Sequence, residues 1–389
     1  MRTADRLSRI EPYLFVTLRQ KINAARDKGV DVISLAIGDP VEPTGQAIID
    51  ELCRTARDSS NHRYPTDEEK GMLAFRHAVA RWYRRRYGVD VDPTGEIIGL
   101  IGSKEGVHHF CLGMVNAGDM VLVTDPGYPA YKASVAIAGG VSESVAIREE
   151  DDFLVDFSSI PAEKARAARA IFLNYPNNPT GAVASLDFFN ELAAWAREYD
   201  VIVCHDNPYS EIVFDGVERV SFMAAEGARE VGVELNSLSK PFNMTGWRIG
   251  MALGNREVIA AMSKVKENTD SGIFNAIQYA GIRALDECDD QIDRMLDIYR
   301  TRRATLAETL TACGLDARAP RGTFYLWARV PEGRSSAEFA EEVFDRAAVV
   351  IAAGSAYGPA GEGYVRFSLT ISDERLAEAC DRLRDSFAG

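Results

Sequence analysis

The chain has 389 residues, 46 % of them apolar and 26 % charged, with a formal net charge of −14. Such a length supports a large core in two or three domains, and the acidity, with no basic run beyond Arg84–Arg86, argues against a nucleic-acid surface. No run of about 18 apolar residues is present to span a membrane, Met1–Ile10 has no apolar signal core, and the cysteines at 53, 111, 204, 288, 313 and 380 form no Cys-x-x-Cys pair, so reduced thiols and a cytoplasmic location are expected.

The first ~40 residues carry no strand pattern of their own. Met72–Tyr87 reads as a helix in which Trp82, Tyr83 and Tyr87 are packing residues. From Ile97 to Gly254 apolar runs alternate with helical patterns. The expected strands are Val121–Thr124, Val141–Ile147, Ala170–Asn174, Val201–His205, Val231–Ser237 and Ile249–Leu253. Leu186–Tyr199 is expected as a helix with Leu186, Phe189, Leu192, Ala193 and Ala196 on one face. Strands that alternate with helices predict a mostly parallel sheet covered on both sides.

Beyond Gly254 the texture changes. Arg256–Lys266, Asn275–Leu285 and Gln291–Cys313 read as long helices. A smaller α+β portion follows: strand Phe324–Arg329, helix Ser336–Ala348, strands Val349–Ala352 and Tyr364–Leu369, and helix Asp373–Phe387. The expected architecture is a three-layer α/β large domain over 41–280, plus a small discontinuous α+β domain from 1–40 with 281–389. A cleft between two such units is a natural ligand site.

Four segments carry the chemistry. In Ser237-Leu-Ser-Lys240-Pro-Phe-Asn-Met-Thr-Gly-Trp-Arg248, a strand ends in a loop of small and polar residues. Lysine is scarce here, nine against thirty-five arginines, so Lys240 at a strand end is notable. It reads either as an exposed loop lysine or, with Ser237, Ser239 and Arg248 as donors for a phosphate monoester, as the amine that forms a Schiff base with pyridoxal phosphate. Asp206, in Cys204-His-Asp206-Asn-Pro-Tyr209, ends another strand. It could pair with a protonated pyridine nitrogen or form an Asx turn before Asn-Pro. In Asn174-Tyr-Pro-Asn-Asn178-Pro-Thr-Gly181, Asn178 could donate to a phenolic oxygen or serve only the turn. Gly102-Ser103-Lys104-Glu-Gly106 opens the helix Gly106–Asn116. That N-terminus is an anion site, a Ser103 cap, or both.

In this order and spacing the segments resemble the fold-type-I pyridoxal-phosphate enzymes, in particular the class I/II aminotransferases, over essentially the whole chain. Further segments resemble the LL-diaminopimelate aminotransferase group. They are Ile37-Gly-Asp-Pro40, Asn61-His-Arg-Tyr-Pro65, Leu100–Gly106, Asp125-Pro-Gly-Tyr-Pro-Ala-Tyr131, Asp270–Gln278 and Gly361–Leu369. The resemblance implies a homodimeric transferase of amino-acid biosynthesis with shared active sites and the cofactor pyridoxal 5'-phosphate, acting on amino-acid and 2-oxo-acid substrates.

It also implies roles. Lys240, Asp206 and Tyr209 would be catalytic. Ser103, Lys104, Ser237, Ser239 and Arg248 would hold the phosphate together with Tyr64 of a second subunit. Tyr128 would stack on the ring, and Asn178 and Tyr209 would tune its phenolic oxygen. Gly38, Asn178, Arg366 and Tyr13 would bind substrate, with Arg366 on the α-carboxylate. Two departures fall where substrate side chains are sensed: Thr-Asp-Glu-Glu-Lys before Gly71 is about two residues longer than is usual in the family, and Ala352–Gly358 lacks the usual Pro-Gly turn with a Phe. Substrate choice is therefore expected at Tyr13, Glu42, Asp67–Lys70 and Lys104.

Other classes find less support. No His-Glu-x-x-His or Cys/His cluster suggests a metal, and no Gly-x-Gly-x-x-Gly follows a strand. A lyase, cyclase or oxidase on the same fold stays open beside transamination. A regulator lacking catalysis would need a DNA-binding domain that ~40 residues ahead of the large domain do not supply.

Overall fold

The computed structural model describes residues 2–10, 12, 14–65, 67 and 69–388. Twelve strands appear among them: β1 (Ile33–Ser34), β2 (Ile97–Leu100), β3 (Met120–Asp125), β4 (Val141–Ala146), β5 (Ala168–Leu173), β6 (Ile202–Asp206), β7 (Gly232–Ser237), β8 (Gly250–Gly254), β9 (Tyr325–Arg329), β10 (Val349–Val350), β11 (Ala352–Ala353) and β12 (Tyr364–Ser368). The central sheet has the order β2-β8-β7-β6-β5-β3-β4. Its β3, β4, β5, β6 and β7 are mutually parallel, whereas β8 runs antiparallel to both β7 and β2. The reversal follows from the connection: Leu238–Ile249 contains only one short 3-10 turn, too little for the crossover a parallel partner requires.

Alternation along the strands assigns side chains to two cores. Leu122, Ile171, Leu173 and Val203 face one core, which also takes Phe188, Phe189, Leu192 and Ala196 of the helix Leu186–Tyr199 and Phe75, Val79 and Trp82 of the helix Leu73–Tyr87. Val121, Val123, Phe172, Cys204, Val233 and Leu235 face the other, with Val107 and Phe110 of the helix Ser103–Met114 and Val258 and Met262 of the helix Arg256–Glu267. The result is the three-layer α/β arrangement expected. Leu186 departs from its expected face: it is 39 % exposed at the rim, because Ser185 caps this helix through the Phe188 N–H and the buried stripe starts two residues later.

Two small sheets complete the fold. β11, β12 and β9 form an antiparallel sheet, and β1 pairs in parallel with β10. The stretch expected as one strand, Val349–Ala352, is two. Val349 and Val350 pair with Ile33 and Ser34, and past Ile351 the chain pairs Ala352 with Arg366. That switch places Ala36 and Gly38, just after β1, next to the Arg366 side chain and the end of β7. Among the described residues no helix is long and apolar enough to cross a membrane.

Candidate active site

The parallel strands all end on one edge of the sheet, and three of the expected segments leave from there: Asn174 after β5, Asp206 closing β6, and Ser237 closing β7. They meet the helix Ser103–Met114 around a cavity of about 400 Å3. Its lining includes Gly38, Ser103, Lys104, Tyr128, Asn178, Asp206, Tyr209, Ser237, Ser239, Lys240 and Arg248. Eleven sequence-expected residues are thus brought together. Arg366, fully buried on β12, adjoins the cavity through Asn178.

The two ends of the site differ in character. At one end the helix Ser103–Met114 begins three residues earlier than expected, with Gly102 in the cap position at φ 80° and Ser103 its first helical residue. Ser103 therefore does not cap the helix, and no side chain does. The first N–H groups of a helix attract anions. Arg248 reaches the same turn: its Nη2 donates to Ile101 O at 3.4 Å and its Nη1 to Thr245 O at 2.8 Å. A Cβ on Gly102 would stand 2.3 Å from Arg248 Nη2, so only glycine lets the guanidinium approach. Arg248 itself adopts φ 55°, a left-handed conformation unusual for a side-chain-bearing residue and most often retained at functional sites.

At the other end lies Asp206. Its Oδ2 accepts from Tyr131 Oη at 2.8 Å, while its buried Oδ1 has no partner. The Asx-turn alternative is not realised, since neither oxygen accepts a local N–H. Burial lifts this carboxyl to about 6, against the opposing Tyr131 bond. The Tyr131 ring is fixed by stacking on Phe172 at 5.0 Å. Asn174 donates to Asp206 O at 2.6 Å and accepts from Asn178 N at 2.7 Å, which ties the two strand-end loops together.

Between the ends, Lys240 Nζ donates to Gly38 O at 2.8 Å. Burial first, then Arg248 and Arg366 against Asp39, brings the amine down to about 8. Gly38 must be glycine because a Cβ there would fall 1.8 Å from Tyr325 Oη. Tyr209 Oη lies 3.2 Å from Tyr325 Oη. Arg366 donates from Nη1 to Asn178 Oδ1 at 2.6 Å and from Nη2 to Ala36 O at 2.5 Å, and its guanidinium lies 3.9 Å over the Tyr325 ring.

Three expected residues stand away from this cavity, Tyr64 among them as a residue expected to serve a second subunit, and a fourth is not described. Tyr64 is 80 % exposed and lines a separate open cavity with Pro65, Asp67, Glu69 and Ser271. Tyr13 lies outside the described residues. Glu42 does not line the cavity, because its Oε1 pairs with the buried Arg302. Asp67 is committed to Arg76 at 3.0 Å. Conversely, Tyr131, Tyr325, Asp39 and Arg19 contribute to the site or line its cavity without having been singled out for it. Tyr131 stood in a quoted motif, but nothing in its spacing marked it as the partner of a residue 75 positions away. A larger cavity of about 970 Å3, lined among the described residues by Arg9, Ile10, Pro12, Thr17 and Ser355–Pro359, shares only Tyr128 with this site, and its Lys132 is paired with Asp125.

The donor set fits a phosphorylated pyridoxal: an anion cradle that a Cβ at Gly102 would fill, a buried carboxylate oxygen awaiting a cationic donor, and a primary amine between them. The comparisons agree. The profile of the family "Aminotransferase class I and II" matches residues 30–383. LL-diaminopimelate aminotransferase of Moorella thermoacetica is 51 % identical over 384 residues, 99 % of this chain and 98 % of that one. The enzyme of the same name from Halothermothrix orenii is 49 % identical, with 99 % of each chain covered. Among solved structures, substrate-bound BacF from Bacillus subtilis superposes with a TM-score of 0.95 at 32 % identity, covering 99 % of this chain and 98 % of that one. A probable N-succinyldiaminopimelate aminotransferase from Thermus thermophilus gives 0.90 at 36 % identity, covering 96 % and 100 %. The chain belongs to the class I and II aminotransferases, enzymes that use pyridoxal 5'-phosphate to move an amino group from an amino acid to a 2-oxo acid.

Proposed function

We propose that the amino donor and product pair of this aminotransferase is LL-diaminopimelate and its cyclic keto-acid form, exchanged with glutamate and 2-oxoglutarate. The observation that carries this is the ~50 % identity to LL-diaminopimelate aminotransferases over nearly the full length of both chains. A substrate with an ammonium and a carboxylate at each end needs fixed partners for both, since unpaired buried charges are expensive. Arg366 at one end, and Arg19, Asp39 and Lys104 along the same cavity, supply such partners.

The bound cofactor supplies an electron sink for the pair left at the substrate Cα when its proton departs. The chain's own residues do the rest. Lys240 would hold the cofactor at rest and, once freed, would take up and give back the Cα proton at Nζ. An amine near 8 is well matched to that task, and such general acid–base help contributes ~10²–10⁴-fold. Asp206 Oδ1 is placed to hold a proton on a ring nitrogen, which relieves the penalty of its own buried charge. Tyr209 and Asn178 would tune the phenolic oxygen, and Tyr128, on the same cavity, would stack on the ring. Ser103, Lys104, Ser237, Ser239 and Arg248 hold the phosphate. Arg366 orients the α-carboxylate beside Asn178 and Gly38, so that the Cα–H bond points at Lys240.

The same reading makes the enzyme a homodimer in which Tyr64 completes the neighbour's phosphate site. Its support is the exposure of Tyr64 and of Phe274, whose ring lies 6.0 Å from that of His62. The division into 41–280 and 1–40 with 281–389 accords with a cleft at Gly38, Arg366 and Lys240. All six cysteines are unpaired, four of them buried, which suits a reducing cytoplasm.

An amino-donor panel tests the substrate: LL-diaminopimelate, N-succinyl-LL-diaminopimelate, aspartate, alanine and aromatic amino acids, each with 2-oxoglutarate, and glutamate with oxaloacetate. LL-diaminopimelate should give the highest kcat/KM, with product formation dependent on the acceptor. No turnover with it overturns the substrate, and ammonia release without an acceptor overturns transamination.

A further inference from the structure

Behind the anion cradle lies a charged cluster that the reaction does not use. Lys266, at the end of the helix Arg256–Glu267, is wholly buried. Its Nζ donates at 2.8 Å to Glu105 Oε1 and at 2.8 Å to Asp270 Oδ1. Glu105 stands in the first turn of the helix Ser103–Met114, and its Oε2 accepts from Ile101 N. The carbonyl of the same residue, in the next peptide unit, accepts from Arg248. On the far side, Asp270 Oδ1 also accepts from Gly272 N at 2.8 Å, and the next residue, Ser271, lines the open cavity with Tyr64.

The charges in this cluster are unequal in kind. His109 Nδ1 lies 3.4 Å from Glu105 Oε1, but burial, then Lys266, brings that ring down to about 4, so it is neutral at working pH. Burial, then a hydrogen bond shared with Asp270, lifts Glu105 to about 7, opposed by Lys266. Without the ammonium between them, Glu105 would keep a proton and turn it toward Asp270, which draws its carboxyl away from the Ile101 N–H. The Lys266 Nζ bonds to one oxygen of each carboxylate, as a bound cation would.

We propose that Lys266 is a positioning residue for cofactor binding, whose ammonium locks Glu105 onto the Ile101 N–H and so fixes the Ile101–Ser103 turn in the shape that presents its N–H groups and Arg248 to the phosphate. Through Asp270 the same ammonium ties that turn to the Ser271–Phe274 segment next to Tyr64. The inference rests on the reading that the phosphate sits at this turn. The mechanism is support of donors from behind: a turn loosened by a few tenths of an ångström keeps its residues and loses their convergence.

Cofactor-free protein titrated with pyridoxal phosphate tests it, with the dissociation constant read by absorbance and folding followed in urea. Lys266→Met should raise the dissociation constant roughly 10- to 100-fold. On the Glu105→Gln background Lys266→Met should add no further loss, because the ammonium acts on the turn through Glu105. An unchanged constant in Lys266→Met overturns the proposal, and so does a Lys266→Met effect that persists in full on the Glu105→Gln background, since that would mean simple loss of packing. Should Lys266→Met not fold, Asp270→Asn provides the reading: it leaves the ammonium one carboxylate and should weaken binding several-fold, and an unchanged constant overturns the proposal equally. Arg248→Ala separates the premises. If it leaves the constant unchanged, the phosphate is not at this turn; if it weakens binding while Lys266→Met does not, only the role of Lys266 falls.

Discussion

Tyr131 Oη donates to Asp206 Oδ2 at 2.8 Å, and Asp206 Oδ1, equally buried, has no partner. Burial of the anion therefore destabilises the cofactor-free fold. The carboxyl sits at about 6 against 3.8 for an ordinary aspartate, so its favourable contribution is complete below 3.8 and is lost as pH rises through about 6. At pH 8 the penalty approaches about 3 kcal/mol. Asp206→Asn should then stabilise the cofactor-free protein by about 1–3 kcal/mol at pH 8, by progressively less toward pH 5, and lose nearly all activity. Urea unfolding at several pH values measures the first part. A mutant that is less stable at pH 8 contradicts this account of Asp206.

Removing the donor has the opposite sign. Tyr131→Phe leaves Asp206 with neither oxygen satisfied in the cofactor-free protein, which should destabilise it by about 1–2 kcal/mol at pH 8. The carboxyl should also move further up. A pH titration of cofactor affinity in the two proteins follows that move directly, and coincident curves would show that Tyr131 does not set the charge of Asp206.

Lys240 supplies a pH-dependent rate. Its amine at about 8 leaves roughly a tenth of the protein with a free base at pH 7, against roughly 0.03 % for an ordinary lysine near 10.5. Incorporation of pyridoxal phosphate into cofactor-free protein should accelerate from pH 6 to 9 and level off around a midpoint of about 8. A rate still rising tenfold per unit at pH 9 would mean an unperturbed amine.

Arg366→Lys should lower kcat/KM for every donor and acceptor alike, by about 2 kcal/mol or roughly 30-fold. A lysine cannot make both the Asn178 and the Ala36 bonds that aim the planar guanidinium, nor lie flat over Tyr325. Steady-state constants for three unlike donors check this. An effect confined to one donor would move Arg366 from carboxylate recognition to side-chain selection.

The proposed sharing of sites between two subunits gives a quantitative expectation. Lys240→Ala and Tyr64→Ala, each inactive alone, should regain about a quarter of wild-type activity after random reassortment, since about half the dimers are mixed and each carries one intact site. No recovery with proven subunit exchange would confine Tyr64 to its own chain.

Much of this was legible because of where parallel strands end. Asn174, Asp206 and Ser237 each follow an apolar run whose period marks a buried strand, and turn residues mark the loop beyond. A sheet with its strands in one direction gathers such loops on one edge. What stayed hidden depends on contacts between distant residues. Tyr325 reads as one more aromatic at a strand start, yet its hydroxyl stands where Gly38 must lack a Cβ. Glu42 reads as a free carboxylate near Ile37–Pro40, yet Arg302, 260 positions on, claims it. The break at Ile351 could not be seen either, because Val349–Ala352 has uniform strand character and only the choice of partner, β1 or β12, divides it.

Covalent mapping of the cofactor tests the central claim most directly. Holoenzyme reduced with borohydride and digested should yield one pyridoxyl-bearing peptide, with the label on Lys240, and wild-type holoenzyme mixed with LL-diaminopimelate before reduction should lose that label as the lysine is released. Label on another of the nine lysines, or full turnover by Lys240→Ala, would contradict the account.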